Sequence, residues 1–514
     1  MTGADETSSA LDRHVVGGEP TDGLEARLQS GTSPRVRRVV GLVDTDSFAK
    51  WGAHLLATAP AHWDLELLTV ATPQSASRAQ LRSAFRGLDE RLAHLRAAPP
   101  APLDVDAVVE RLRQDPPDAV LVSLIGPVAE LVIGEVHRRV PRRPVLVTGL
   151  PGISFPAKWK GVFFRARADL FVLHSHREVR AYEELAREGG VEPHFALATL
   201  PFARRVPASA SAASAAAASA AVRDAVVFAA QPSVPAERTD RARIVGWLAE
   251  TARRHPEWRV VIKVRAAAGE HQTHREQDPY PDLVPADAPA NLVVESGPMA
   301  DHLDRAVALV TVSSTAVLEA VARGVPALTL TDFGIGRQLI NEVFVGSGLE
   351  GDSIDLFDGR FGSVRPEWMH ENHFHPAEDD DWVARAEALM ALRDDGALVD
   401  RPGARRSRGG VLRRAWERKN ALGAADRSVL GAVALVIGAP VRTAKRVVRQ
   451  VVRFVRPPET PVLRAPTNQR AGRGGAGGSE PALGSEPALG SAPALESERL
   501  GDRQEQLVAG GDTR

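Results

Sequence analysis

The chain has no cysteine among its 514 residues. That absence excludes disulfides, thiolate metal sites and cysteine nucleophiles, and it agrees with the cytoplasmic location that we expect. No apolar run reaches the roughly 18 residues that a membrane-spanning helix needs. The polar N-terminus, 1–34, also lacks the apolar segment of a secretory signal, so we expect a disordered tail there.

The chain also has almost no net charge, formally −1 at neutral pH. No overall electrostatic field therefore recruits nucleic acid, and we expect no nucleic-acid partner. The Gly-x-Gly-x-x-Gly and Gly-Lys-Thr phosphate motifs are missing, which disfavours dinucleotide oxidoreductases and P-loop enzymes. Hydrophobic residues make up 44% of the chain, enough for ordinary cores, and the length suggests two or three domains.

Apolar strands and amphipathic helices alternate through most of the sequence, which predicts an α/β fold with doubly wound parallel sheets. The alternation runs over 35–207, breaks at the Ala/Ser-rich linker or loop 208–223, and resumes over 224–400. Two such halves predict two Rossmann-like domains facing a cleft. The predicted strands are 36–43, 65–70, 119–124, 145–148, 170–173, 225–229, 259–264, 291–295, 308–312 and 327–330.

The C-terminal part has a different composition. Residues 401–457 are strongly basic and predict a helical segment, whereas 458–514 contain repeated Glu-Pro-Ala-Leu-Gly units and predict a disordered tail. Within 441–456, arginines fall on one helical face and valines on the other. Such a helix could lie on an anionic membrane, bind nucleic acid or pack on the protein, and we favour the membrane surface.

The most informative motif is Ser313-Ser314-Thr315, which follows the predicted strand 308–312 and opens a short helix. Backbone N–H groups and hydroxyls at a helix start bind anions. Glu319 lies about one turn further on and can face the same ligand. This arrangement suits a nucleotide, with phosphates at the tip and ribose hydroxyls at the carboxylate. The alternative is an ordinary βαβ unit in which Ser313 is a plain N-cap.

Basic residues end a neighbouring strand. Lys263 and Arg265 could reach phosphate oxygens there, or they could belong to a solvated strand end. His271 and His274 follow in a loop and could serve as acid/base groups or as metal ligands.

A second histidine group consists of His370, His373 and His375. Its spacing suggests a metal site only weakly, because histidines in a loop without cysteine are a poor signal. We therefore expect no metal.

Two segments of the first half can supply an acceptor side. Asp44, Asp46 and Lys50 follow the first strand, where a carboxylate could act as general base. The alternative is a helix N-cap, at Asp46 or Ser47.

The loop that follows the strand 145–148 contains Gly149, Gly152 and Ser154. Its backbone N–H groups could bind an acceptor or a phosphate, or the glycines could simply make a tight turn.

These features together resemble the GT-B glycosyltransferases, and more closely the actinobacterial glycosyltransferases of unassigned activity. Capsule, sialyl and glycerophosphate transferases are more distantly similar. The resemblance covers about 36–420. It is carried by Val43 to Trp51, Gly149 to Pro156, Ala168 to Ser175, Phe228 to Pro232 and Ser313 to Pro326.

The resemblance implies a nucleotide-sugar donor on the second half. Glu319 would then bind ribose hydroxyls, and Lys263 or Arg265 would stabilise the charge of the leaving nucleotide. The phosphates would be held by Ser313, Ser314 and Thr315.

From the first half, Asp46 would act as general base, and no metal or other cofactor would be needed. Related enzymes often carry His-Pro after the basic strand. This chain has Lys263-Val264-Arg265 there, so His271 or His274 would take that role.

The expected function is transfer of a sugar from a nucleotide-activated donor to a cell-surface polysaccharide or a lipid-linked acceptor. Contact of 441–456 with the inner face of the plasma membrane would bring the site near that acceptor. Two alternatives remain at this point: a nucleotide-sugar epimerase of the same fold, and a non-catalytic binding protein.

Overall fold

A computed structural model describes residues 24, 35–201, 223–264, 278–404 and 410–437. Several predictions concern residues outside these ranges. They are Arg265, His271, His274, the helix 441–456, nearly all of the linker 208–223 and nearly all of both tails.

The first half forms a sheet of seven parallel strands in the order β3-β2-β1-β4-β5-β6-β7. Its strands are β1 Arg37–Val43, β2 Trp63–Val70, β3 Pro102–Leu103, β4 Ala119–Ser123, β5 Val145–Gly149, β6 Leu170–Leu173 and β7 His194–Leu197. Its helices are α1 Asp46–Leu56, α2 Arg78–Ala84, α3 His94–Ala97, α4 Val105–Gln114, α5 Gly126–Arg139, α6 Trp159–Phe163 and α7 His176–Glu188.

The second half forms a sheet of six parallel strands in the order β10-β9-β8-β11-β12-β13. Its strands are β8 Ala225–Ala229, β9 Arg259–Lys263, β10 Leu292–Glu295, β11 Ala306–Thr311, β12 Ala327–Leu330 and β13 Glu350–Gly351. The helices that follow are α8 Arg238–Arg254, α9 Met299–Leu303, α10 Ala316–Ala322, α11 Ser353–Phe357, α12 Pro366–Glu371 and α13 Trp382–Asp394.

The predicted α/β class with two parallel-sheet domains is confirmed. The central strands coincide with the apolar runs because both faces of a parallel sheet are covered, so nearly every residue of such a strand is buried. Residues 78–97 contain two short helices, α2 and α3. Gly87 lies between them with φ +78°, a conformation that ends a helix.

The chain returns to the first domain through α13. This helix packs against β5, β6 and β7, and its Trp382 lies edge-on to Trp63 at 5.5 Å between ring centroids. Trp63 Nε1 donates a hydrogen bond to Glu387 at 3.0 Å. The sequence assigns 224–400 to the second domain. The last helix of that range, α13, instead buries its apolar face on the first sheet.

The two domains also share one apolar core. A single buried cluster includes Val39 and Val147 of the first sheet, Val227 and Leu309 of the second, and Leu389 of α13. Burial of apolar surface stabilises a protein by about 25 cal/mol per Å². Separating the two domains would therefore lose the stabilisation that comes from the apolar surface buried between them.

The basic segment begins with α14, Val411–Leu422, which packs on α5 and buries Leu422. The described residues up to Val436 belong to one compact unit. Within the described ranges, no single helix has the length and apolar character to cross a membrane. The pair Val411–Ala425 and Val429–Ile437 meets that test only jointly, with a bend of 113°.

Candidate functional site

The second sheet has its topological switch point between β8 and β11, where successive crossovers leave in opposite directions. Ligands of open α/β sheets bind at such points, beyond the carboxyl ends of the strands. Gln231 follows β8, and its Oε1 accepts hydrogen bonds from the Ser313 N–H at 3.0 Å and the Ser313 hydroxyl at 3.2 Å. One amide side chain therefore joins the two strand ends at the switch point.

The first sheet is built in the same way between β1 and β4. Asp44 follows β1; its carboxylate accepts the Thr45 N–H at 2.7 Å and the Ile125 N–H at 3.1 Å. The residue is 0% exposed, and burial raises the pKa of its carboxyl to about 6. Asp44 therefore fixes the loop, and its buried carboxylate is not presented to an acceptor.

The hydroxyl-rich segment Ser313-Ser314-Thr315, the tip of α10, does not start the helix as the sequence predicts. The helix α10 begins at Ala316, and Thr315 occupies the N-cap position, so Ser313 is not the N-cap. The Ser314 N–H donates to Thr311 Oγ1 at 3.2 Å, and the Ala316 N–H donates to Ser314 Oγ at 3.2 Å. These N–H groups are already hydrogen-bonded within the chain, so the hydroxyls of Ser314 and Thr315 are the better candidates for binding a phosphate.

The tip faces the first domain across the gap. A Cβ built on Gly152, which has φ +83°, would lie 3.0 Å from Thr315 Cγ2. One helical turn further, Glu319 Oε1 lies 3.2 Å from Lys50 Nζ. The structure thus brings together two residues of the predicted donor side and two of the predicted acceptor side.

Asp46 is the first residue of α1 and is half-buried. The N-cap is Thr45, whose Oγ1 accepts the Phe48 N–H at 3.5 Å, so the alternative of a cap at Asp46 or Ser47 is wrong. Asp46 and Lys50 are four residues apart and share one helical face. Because Lys50 reaches Glu319, Asp46 lies on the side of α1 that faces the gap.

The loop after β5 is held by two buried contacts. A Cβ on Gly149 would lie 2.4 Å from the Trp51 ring, so only glycine allows this approach. The Ser154 N–H donates to Glu178 Oε1 at 2.6 Å. Gly149 and Ser154 therefore position the loop, while Gly152 is the member that approaches the tip.

Lys263 ends β9, directly beside Ala229 of β8, and its side chain is mostly buried. It therefore lies at the same sheet edge as Gln231, one strand away from the switch point. Sequence reasoning named Lys263 but missed Gln231. The available signal was the first polar residue after the first strand of the second half, Gln231.

The histidine set 370, 373 and 375 does not form one site. His373 is fully buried, and burial lowers the pKa of its ring to about 3. His375 Nε2 pairs with Asp380 Oδ1 at 2.9 Å. His373 and His375 therefore belong to the interior, whereas His370 is exposed.

Replacing Asp44 by asparagine should change the pH dependence of stability. The carboxyl pKa in the folded chain, about 6, lies above the ordinary 3.8, so folding favours its protonated form. Its stabilising contribution is complete below the ordinary pKa and is lost as pH rises through about 6. Urea unfolding at several pH values should show the wild type losing about 3 kcal/mol relative to Asp44→Asn between roughly pH 4 and 6.

The exposed Asp287 supplies the control for this measurement. Asp287→Asn should leave the pH profile of the wild type unchanged. Parallel profiles for Asp44→Asn and the wild type would contradict the assignment of a raised pKa to Asp44.

Several solved structures are similar to this chain. UDP-GlcNAc 2-epimerase from Neisseria meningitidis, bound to UDP-GlcNAc, is 11% identical with a TM-score of 0.41, and the match covers 70% of this chain and 100% of that chain. The UDP-GlcNAc 2-epimerase from Methanocaldococcus jannaschii is 12% identical with a TM-score of 0.41, covering 69% and 99%. Arabidopsis thaliana UGT89C1, complexed with quercetin, is 15% identical with a TM-score of 0.38, covering 70% and 94%.

Among curated proteins no sequence match was found. Residues 39–389, well over half of the chain, match the model of the family described as "Putative glycosyltransferase (DUF6716)". The chain belongs to that family.

Proposed function

We propose that this protein transfers a sugar from a nucleotide-activated donor, held between its two domains, to a cell-surface glycan or a lipid-linked acceptor. The observation that carries the proposal is the approach of Thr315 and Glu319 to Gly152 and Lys50 across the gap. Family membership supports glycosyl transfer.

The donor would bind on the second domain at the switch point. Ser314 and Thr315 hydroxyls would contact the phosphates, and Ser313 would be held in place by Gln231. An amide at this position suits a phosphate site because it carries no negative charge that would repel the ligand. Lys263 and Arg265 would stabilise the charge that develops on the departing nucleoside phosphate.

Glu319 would accept hydrogen bonds from the ribose hydroxyls. Its carboxylate is mostly buried, with 13% of the side chain exposed, and it pairs with Lys50. A bound ribose would have to share or replace that partner. With 39% of the Lys50 side chain exposed, water weakens this ion pair, so a ribose could displace it from Glu319 at small cost.

The chemistry would break the bond between the anomeric carbon and the phosphate oxygen and join that carbon to an acceptor oxygen. Asp46 would take the proton of the acceptor hydroxyl, because it lies on the face of α1 that carries Lys50. His271 and His274 remain further candidates for proton transfer.

Nucleotide-sugar binding should be detectable as thermal stabilisation by a panel of UDP-, GDP-, CMP- and CDP-sugars. A donor at a hundredfold excess over its dissociation constant should stabilise by about 2.7 kcal/mol. Glu319→Ala should weaken binding of that donor by about ten- to a hundredfold, because it removes charge-assisted hydrogen bonds. Lys50→Ala should retain binding, because it leaves the Glu319 carboxylate in place to accept the ribose hydroxyls.

No change in melting temperature with any of the donors would contradict the proposal. Equal binding by Glu319→Ala and wild type would move the ribose elsewhere. Epimerised donor formed without any acceptor would identify an epimerase, and binding without turnover would identify a binding protein.

Asp46→Asn should lower kcat by about 10² to 10⁴ while keeping donor binding, since it removes a general base and leaves the second domain intact. Transfer is measured as nucleotide release that depends on acceptor. Asp64→Asn, at an exposed position of β2, is the matched control and should be fully active. If His271→Ala or His274→Ala lost the activity while Asp46→Asn kept it, the base would be that histidine.

We also propose that 441–456 contacts an anionic membrane. The helix Val429–Ile437 exposes 81% of Val429 and 73% of Val436, so exposed apolar side chains come shortly before the basic segment in the sequence, and this supports the proposal.

Vesicle co-sedimentation tests this contact. The double variant Arg446→Glu and Arg449→Glu should bind vesicles rich in anionic lipid at least about tenfold more weakly, because each basic residue contributes about 1 kcal/mol. The matched control reverses Arg78 and Arg82, two exposed arginines of α2, and should bind like the wild type. Equal binding of both double variants would refute the contact.

A further inference from the structure

Three metal-ligating side chains meet where α7, α12 and the 3₁₀ helix Ala377–Asp379 approach one another. His176 begins α7, His370 lies in α12 and Asp379 ends the 3₁₀ helix. One ligand atom from each lies within 4.8 Å of the others. None of the three has a part in the proposed sugar transfer.

We propose that His176, His370 and Asp379 form a binding site for one divalent transition-metal ion of the Zn²⁺ class. Two imidazoles and one carboxylate suit Zn²⁺ and its neighbours, whereas Mg²⁺ and Ca²⁺ prefer oxygen ligands alone. Three protein ligands leave a further coordination position for water or another small ligand.

The spacing fits such an ion after a small closure. With metal–ligand bonds of about 2.0–2.2 Å, tetrahedral ligand atoms lie about 3.3 Å apart. His176 Nε2 and Asp379 Oδ2 are already 3.0 Å apart. His370 stacks on His176 with 5.4 Å between ring centroids and an interplanar angle of 16°. Its side chain is 60% exposed, so the ring can rotate inward without disturbing the core.

The carboxylate is held by the chain that follows it. Asp380 accepts hydrogen bonds from the Thr199 N–H at 2.5 Å and the Thr199 hydroxyl at 3.0 Å. Asp381 accepts the Leu197 N–H at 2.7 Å. Because the next two residues, Asp380 and Asp381, are hydrogen-bonded to the end of β7, Asp379 is held beside the start of α7 even without a metal. Such fixed outer contacts strengthen metal sites.

The site is open to solvent on one side. His176 and Asp379 line a groove of about 470 Å³ that continues along α7 and β7. A hydrated ion can enter through this groove, and the remaining coordination position would face it. The ion would link α7 of the first domain to α12 and the 3₁₀ helix, which precede α13 in the chain.

Co²⁺ titration of the full-length protein tests the site, because tetrahedral Co²⁺ bound to imidazole and carboxylate absorbs visibly. We expect one equivalent to bind with that spectrum and Zn²⁺ to displace it. His370→Gln and Asp379→Asn should each weaken binding at least about tenfold, as loss of a ligand removes more than loss of an outer contact. His94→Gln, an exposed histidine of α3, is the control and should bind like the wild type.

His370→Gln should fold normally because the side chain is exposed, and its melting temperature without metal provides the check. No saturable Co²⁺ binding to the wild type would overturn the proposal. Equal affinity in His370→Gln, Asp379→Asn and wild type would also overturn it, since the ion would then bind elsewhere among the 15 histidines.

Discussion

The relative placement of the two domains depends on the apolar attachment of α13 to the first sheet. Trp382 is 3% exposed and packs against Trp63, which also donates to Glu387 of the same helix. This attachment adds to the continuous core that runs between the domains. The shared core and the attachment of α13 together fix the distance between the tip at 313–315 and the loop at 149–154, and a site made from both depends on that distance.

The two domains solve the same local problem with different chemistry. In each, a polar side chain after the first strand binds the chain after the fourth strand, Asp44 to Ile125 and Gln231 to Ser313. In the first domain, which would receive the acceptor, this contact is made by a carboxylate. In the second domain, where phosphates would bind, it is made by a neutral amide. This difference in charge agrees with the assignment of the donor to the second domain.

Much of the fold could be predicted from the sequence because central parallel strands are apolar along their whole length. Strands 170–173, 225–229 and 327–330 have the predicted bounds. The strand His194–Leu197 was missed because four residues at the edge of the pattern carry little signal. The return of α13 could not be read from the sequence, since its helical period does not say which sheet covers it.

The candidate site was predictable to a similar degree. Residue types just after strands and in the helices that follow pointed to Thr315, Glu319 and Lys50, which the structure brings to the same region, but local spacing could not reveal their partners. Ser313 is bound by a residue 82 positions earlier, and Glu319 by one 269 positions earlier. The alternative of an N-cap at Asp46 or Ser47 was wrong because several consecutive polar residues there can cap a helix, and only backbone geometry selects Thr45.

The pairing of Lys50 with Glu319 has a consequence for the order of events in the proposed reaction. A pentose that engages Glu319 displaces the Lys50 ammonium from that carboxylate, one helical turn from Asp46, on the side where an acceptor would arrive. The first substrate would thus alter the electrostatic potential that the second one meets. Such coupling is reciprocal, so an anionic acceptor would in turn raise the affinity for the donor.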